Sequence, residues 1–389
     1  MAIVNTLALV VGTIAVLKGL SIAALELNHR QRRKQQLELT PGTWQLDSSD
    51  RHRYRLVGEL EFRNRSSVLD IAVPEVAADV TLISKGSLDD IGWRVKVLSA
   101  PEGEPPRPDG YWLADIIGSQ ENLGFKVAIE IWGEDLSQLQ TAWVKVRYTI
   151  HGIDGECPHT RHAIVPLREP EPKTLPWQSK PGAQVLPVKT HLLTHADDPV
   201  EVVKRYVTPH AQPGDIVTLG ETPLAIMQDR IRHPETVRPG WLAKRLCHLF
   251  GQRANLATAS SLQVLIDLVG PVRVGWAFVF GAIAKVLGKS GVFYQLAGEQ
   301  ARLIDDVSGT IPPYDRFILL GPDNPNAVVD RIYRETGIQA AIVDVNDLQA
   351  VKILAATSGI SHPALETSLR SNPAGNADEQ TPLVLVRPA

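Results

Sequence analysis

Cysteine is scarce in this chain: Cys157 and Cys247 are the only two in 389 residues. That is too few for a disulfide framework and fits a reducing compartment. A charge excess of either sign is also missing, since 40 Lys and Arg stand against 43 Asp and Glu, a net charge of −3. This balance excludes a nucleic-acid binder that neutralises phosphates by bulk positive charge, so any recognition of anions has to be local. The chain contains no Walker A sequence, no G-x-G-x-x-G, no G-x-S-x-G and no H-E-x-x-H. The standard nucleotide folds, the α/β-hydrolases and the zinc proteases therefore lack their signatures.

The length is enough for two to three domains, and uneven composition divides it. Ile3 to Leu25 is an apolar run of 23 residues with a single charge, Lys18, which as a helix would reach ~34 Å, enough to cross a bilayer. Its cations follow rather than precede it, at Arg30, Arg32, Arg33 and Lys34, unlike a cleaved signal peptide. The expectation is a single-pass membrane protein with the transmembrane helix in residues 1–28 and the remaining domains cytoplasmic by the positive-inside rule. Asn64-Arg65-Ser66 would then carry no glycan.

Residues 43–165 alternate apolar and polar side chains, as in Tyr54–Phe62, Asp79–Ile83, Trp93–Leu98, Phe125–Trp132 and Trp143–Ile150. Period two with turn residues between the runs predicts an antiparallel β-sandwich with wet outer faces. Its polar residues suggest binding or spacing rather than catalysis. His151, Cys157, His159 and His162 fall within twelve residues, but with no second Cys/His cluster the reading is a loop of solvated histidines, not zinc. Residues 166–184 form a proline-rich linker.

From 185 to 389 the pattern becomes mixed α/β. Strands are expected at Asp215–Leu219, Leu224–Met227, Gly291–Leu296, Ala340–Asp344 and Pro382–Arg387, with helices at 239–249, 258–287 and from Asn324-Pro325 to Gly337. Val274–Ala284 is uncharged but too short to span, and reads as a buried or interface helix. Acids beside these elements, Asp267, Asp305-Asp306, Asp344 and Asp347, have the oxygen chemistry a hard cation needs, although one aspartate alone is more often a cap or turn residue. Lys189, Arg230 and Lys289 are cations suited to phosphate.

Gln212-Pro-Gly-Asp-Ile-Val-Thr-Leu-Gly-Glu-Thr-Pro-Leu-Ala-Ile-Met-Gln-Asp-Arg230, Arg238-Pro-Gly-Trp-Leu-Ala-Lys-Arg, Gly291–Gly298, Ile304-Asp-Asp306, Thr310–Tyr314, Leu320–Pro325 and Val343–Asp347 occur in this order. Together they resemble the γ-glutamyl ligase of the deazaflavin coenzyme F-420, in particular a divergent ligase-like branch. The resemblance covers 185–389 and leaves the sandwich outside it. It implies an acid–amino-acid ligase that joins glutamate to a carboxylate with GTP (or ATP) and Mg²⁺ or Mn²⁺ through an acyl phosphate. It further implies nucleotide contacts at Lys189, Thr190, Glu221, Thr222 and Arg230, metal ligands at Asp267, Asp305 and Asp306, and a ligand segment at Asn376 and Glu379. The expected partners are the bilayer, a small-molecule carboxylate and an amino acid, with no nucleic acid; a homodimer is compatible with this. Family members carry Ser-Glu-Lys where this chain has Gly220-Glu221-Thr222, so the alternative is a catalytically degenerate scaffold or assembly factor for a membrane complex. The fold class expected is α+β multidomain: anchor, antiparallel sandwich, then a mixed α/β ligase-like domain.

Overall fold

The computed structural model describes residues 37–99, 111–152, 155–169, 176–251, 255–305, 311–345, 350–375 and 379–389. The apolar run Ile3–Leu25, its basic collar, Asp306, Asn346-Asp347 and Asn376 lie outside them. Among the described residues no single helix is long and apolar enough to cross a membrane. Two compact units emerge: Met1–Asp79, Gly92–Trp132 and Lys145–Arg161 form one, and Val80–Ile91, Gly133–Val144 and His162–Ala389 the other.

The expected sandwich strands are present and antiparallel. One sheet runs β1 (Leu37–Leu39), β3 (Arg53–Asn64), β7 (Asn122–Trp132), β5 (Gly92–Ser99), with β2 (Thr43–Ser49) also on β3. The other runs β6 (Asp115–Ile117), β4 (Ile71–Ser84), β8 (Leu139–Gly152), β9 (Gly155–Pro166). Alternation along β3 buries Leu56, Leu60 and Phe62 and leaves the residues between them wetter. Phe62 stacks on Phe125 at 5.1 Å and meets Tyr148 and Trp112 edge to face at 5.1 and 6.3 Å, so aromatic area supplies the core of the first unit. Asn64 is buried, and its amide donates to the carbonyls of Leu69, Ile117 and Gly118 while its oxygen accepts from the Ser66 N–H. The sequon asparagine is thus spent on structure. The stretch expected to be a loop of solvated histidines is strand where it is described: His151 lies near the end of β8, and Cys157, His159 and His162 lie in β9.

The second unit is organised by a six-stranded mixed sheet in the order β10 (Gln178–Lys180), β11 (Ala183–Val188), β17 (Leu383–Pro388), β12 (Ile216–Gly220), β15 (Gln339–Val345), β16 (Val351–Ala356). Gln178–Lys180 thus falls inside the proline-rich stretch. One face is covered by α1 (Pro199–Tyr206) and α8 (Pro325–Thr336), which bury Val200, Val203, Val329 and Ile332 against the sheet. The other face is covered by α9 (His362–Leu369) through Leu365 and Leu369. The final strand, after the polar stretch 371–380, sits mid-sheet between β11 and β12, which is why it is continuously apolar.

Between β12 and β15 the chain builds a helical lobe of α2 (Glu221–Met227), α3 (Trp241–Leu246), α4 (Ala259–Val269), α5 (Pro271–Val286), α6 (Val292–Ala297) and α7 (Gln300–Leu303). Leu224–Met227 and Gly291–Leu296 are therefore helical rather than extended, because an apolar run of four to six residues carries no period. Glu221 in the first turn and Gly220 at the N-cap are helix-start chemistry. The stretch 258–287 is two helices bent by 114°: Gly270, at φ 89°, takes a backbone angle that other residues avoid, and Pro271 restarts the helix. Asn324 and Gly337 flank α8 as expected, although Asn324 does so at φ 43° with no side-chain capping bond. Short β13 (Ile231–Arg232) and β14 (Ile318–Leu319) pair beneath this lobe.

Replacing Asn64 by Ala leaves three carbonyl oxygens of the sandwich without their donor. It should destabilise the chain by roughly 1–3 kcal/mol, read as a lower urea midpoint for the β-rich transition by circular dichroism.

Candidate functional site

Strand β12 is parallel to β15, with Gly220 opposite Val343. Glu221, which opens α2 directly after β12, and Asp344, which follows Val343 within β15, therefore lie at the same edge, the carboxyl end where crevices form in α/β sheets. Asp305 comes from the far side of the helical lobe and is pinned by a two-way backbone bridge to Leu319 at 2.9 and 3.0 Å. These acids line one cleft of about 510 Å³, together with Thr190, Thr222, Arg302 and Asn372.

The cleft acids act on one another through their charges. Burial pushes the Glu221 carboxyl up to about 7, and the charges of Asp344, Asp305 and Glu299 add to this while Lys352 opposes it. Lys352 stands opposite Asp344 in the β15–β16 register. A carboxyl that titrates near neutrality inside a cleft is suited to proton transfer. The fourth wall carries His191, whose Nδ1 lies 2.7 Å from the Tyr206 hydroxyl and whose Nε2 lies 2.8 Å from Asp197 Oδ1. Burial raises Asp197, but the hydrogen bond and charge of His191, with two bonds from Thr194, outweigh it and hold the carboxyl below its ordinary value. With both ring nitrogens engaged, His191 is oriented rather than free to rotate.

Of the residues singled out from sequence, Thr190, Glu221, Thr222 and Asp305 line the cleft. Thr190 is fully buried, its N–H donating to the Gln380 carbonyl and its hydroxyl to the His191 carbonyl. Lys189, Arg230 and Asp267 are not among the lining residues. Arg230 is occupied in the framework: its Nε donates to the Gly321 carbonyl and Nη2 to Gln300 Oε1 at 3.1 Å, and burial lowers its guanidinium. Asp267 is exposed on α4 and accepts from Gln263 Nε2 at 2.7 Å. Asp344, named from sequence among the acids suited to a hard cation, also lines the cleft, whereas His191 and Arg302 were not singled out. Only Asp344 had a local signal, an acid at the end of a buried strand; the others depend on tertiary placement.

Oxygen donors of Glu221, Asp305 and Asp344 suit a hard cation, and their mutual repulsion is what a cation would relieve. Mg²⁺ keeps waters and substrate phosphates among its ligands, so a closed protein cage is not required. Among the described residues, the group of three whose ligand atoms all lie within 4.8 Å of one another is a different one: His162, His233 and Glu235. There the Trp143 indole N–H donates to His162 Nδ1 at 3.0 Å. Indole can only donate, so the His162 proton sits on Nε2, which faces Glu235 Oε1 at 3.0 Å. His162 belongs to the histidine segment read as solvated, yet its side chain is only 5% exposed.

The Glu221 carboxyl should titrate at about 7, as read by carbon NMR of labelled glutamate, and Asp344→Asn should lower that value without restoring the ordinary one, since burial is the larger cause. The folded state holds this proton more tightly than the unfolded state. Stability therefore falls as pH rises from the ordinary 4.5 to about 7. Glu221→Gln should remove that slope and stabilise most above pH 7, by at most roughly 3 kcal/mol.

Residues 38–169 match the family model described as F420-0:gamma-glutamyl ligase, N-terminal Ig-like domain. The match falls on the β-sandwich, which the sequence reading had placed outside the ligase resemblance, whereas the C-terminal half is not matched. No curated protein matches the chain. Solved structures of similar shape include the GAE domain of GGA2p from Saccharomyces cerevisiae, at 9% identity and TM-score 0.22, covering 35% of this chain and 93% of that one. A FixG-related protein from Vibrio parahaemolyticus is 9% identical at TM-score 0.17, covering 34% and 95%. AvmM, which catalyzes macrocyclization in alchivemycin A biosynthesis, is 9% identical at TM-score 0.22, covering 37% and 94%. Scores this low carry no argument about function. What is matched is the Ig-like domain of the F420-0:gamma-glutamyl ligase, over residues 38–169.

Proposed function

We propose that the chain is an acid–amino-acid ligase of the γ-glutamyl type, using GTP or ATP with Mg²⁺ or Mn²⁺ to join an amino acid to a small-molecule carboxylate. The observation that carries the reading is the convergence of Glu221, Asp305 and Asp344 on one cleft in a chain whose sandwich matches the Ig-like domain of such a ligase. In this reaction the γ-phosphoryl group moves to a carboxylate oxygen, forming an acyl phosphate and releasing the nucleoside diphosphate. The amine nitrogen then bonds to the acyl carbon, phosphate leaves with the C–O bonding pair, and the amine gives up a proton.

Each step has a residue suited to it. Asp305 and Asp344 are the oxygen donors that would hold a divalent ion, which supplies charge neutralisation to the phosphates when bound. The Thr222 hydroxyl and the Arg302 guanidinium offer hydrogen bonds to anionic oxygens along the same wall. Glu221, titrating near neutrality, is the group that can accept the proton from the attacking amine.

A second reading rests on one specific observation. Thr222 stands where the resembling ligases carry lysine, and Lys189 and Arg230 are not in the cleft wall, so the site is poorer in cations than a phosphoryl-transfer site usually is. That favours a ligase-like scaffold that retains the cleft without turnover.

Calorimetry on the full chain should show nucleoside triphosphate binding that requires Mg²⁺, weakened about tenfold or more by Asp305→Asn or Asp344→Asn. Glu221→Gln should lower turnover at least tenfold, read as phosphate release, more than it weakens nucleotide binding. Absence of Mg²⁺-dependent nucleotide binding would sink the ligase reading; binding without any nucleotide cleavage across carboxylate and amino-acid panels would select the scaffold.

A further inference from the structure

Helix α5 turns most of its large side chains outward, Phe278 alone of its aromatics packing inward against Phe250. Its buried residues are Val274 and Ala277, and Gly281 lies so close to α6 that a Cβ there would come within 2.9 Å of the Phe293 Cβ. The opposite face carries Val272, Trp276, Phe280, Ile283, Val286 and Leu287, with Trp276 59%, Ile283 52% and Val286 88% exposed. Trp276 and Phe280 stack on each other at 5.7 Å on this open face. A surface helix of a water-soluble lobe has the reverse arrangement, and an apolar stripe of this size marks an interaction surface. The segment Val274–Ala284, expected to be a buried or interface helix, is buried on one side only.

Charge identifies what covers that face. Residues 239–291 hold six Lys and Arg and a single acid, Asp267. Lys285 and Lys289 stand exposed at the end of the apolar stripe. A two-fold contact between copies would set this basic stretch against itself, whereas an anionic lipid leaflet complements both its apolar face and its cations. The chain also carries the apolar run Ile3–Leu25 with its own collar of Arg30, Arg32, Arg33 and Lys34, and stable attachment to a bilayer generally takes two signals. Helix α5 cannot span: its sixteen residues reach ~24 Å against a hydrocarbon core of ~30 Å. The preceding α4 cannot extend it, because Leu262, Val264 and Leu265 are committed to the protein core and the two helices are bent by 114°.

We infer that α5 is an interfacial membrane-docking surface, lying along an anionic leaflet with its Trp276–Leu287 face among the acyl chains and its neighbouring cations at the headgroups. The test places an environment-sensitive fluorophore on Ile283→Cys in a Cys157→Ser background of the full chain, with a matched probe at Arg334→Cys on α8. The chain is reconstituted in phosphatidylcholine vesicles with and without phosphatidylglycerol. The Ile283→Cys probe should shift to the blue and be quenched severalfold more than the Arg334→Cys probe by lipid brominated in its tails, and only when phosphatidylglycerol is present. Lys285→Gln and Lys289→Gln should each reduce the ratio of inserted to exposed probe roughly fivefold. Three results would overturn the inference: quenching by aqueous iodide alone, cross-linking of Ile283→Cys between copies regardless of lipid, or shielding that does not depend on phosphatidylglycerol. The second result would assign the face to another copy, and the third to the apolar run of the same chain.

Discussion

The parallel pairing of Ile216–Gly220 with Gln339–Val345 is the constraint on which the second unit depends. A parallel pair cannot be closed by a tight turn, so the chain between its strands has to cross over, and here the crossover holds the whole helical lobe and α8. The same pairing sends both strands out at one edge, which is how Glu221 and Asp344 come to share a crevice. A slip of one residue would exchange buried and exposed faces along the central strands and separate the two acids.

Holding acids together this way has an electrostatic cost, and the surrounding contacts show how it is distributed. Glu221 is pushed toward neutrality by burial first and by its neighbours second. The opposing cation, Lys352, comes from an edge strand opposite Asp344. Elsewhere in the unit buried acids have partners: Asp215 accepts two bonds from the Arg387 guanidinium at 2.9 and 2.7 Å, and Asp197 is held by His191 and Thr194. The cleft differs from these framework pairs in that its carboxylates line one cavity and repel one another's charge. That contrast distinguishes a site from a structural ion pair, because a framework carboxylate is stabilised as the anion whereas Glu221 is destabilised as one.

The helical lobe solves a different packing problem. Its core is filled from α3, α4, α6 and α7 by Ala243, Leu262, Leu265, Phe293 and Ala301, to which α5 adds Val274, Ala277 and one side of Phe278. Close approach at Gly281 lets α6 pack against the backbone of α5. The remaining bulky residues of α5 are then surplus to the core, and a soluble environment gives them nothing to bury against.

Local sequence determined what period and breakers can encode. Alternation specified the sandwich strands, since one face of an antiparallel sheet is wet and the other dry. Asn324, Pro325 and Gly337 bounded α8, and the unbroken apolar run Leu383–Val386 announced a buried final strand. The short runs Leu224–Met227 and Gly291–Leu296 were illegible because so few residues carry no period, and His162 looked solvated because nothing local says that Trp143, His233 and Phe317 will enclose it. Acids were visible as candidates, but their company was not. Asp267 and Asp305 look alike in sequence, yet one ends exposed on α4 beside Gln263 and the other is clamped to Leu319 at the cleft. Which carboxylates converge, and which face of an apolar helix is left uncovered, are decided by strand register and lobe packing between residues far apart in the chain. No local pattern holds that information.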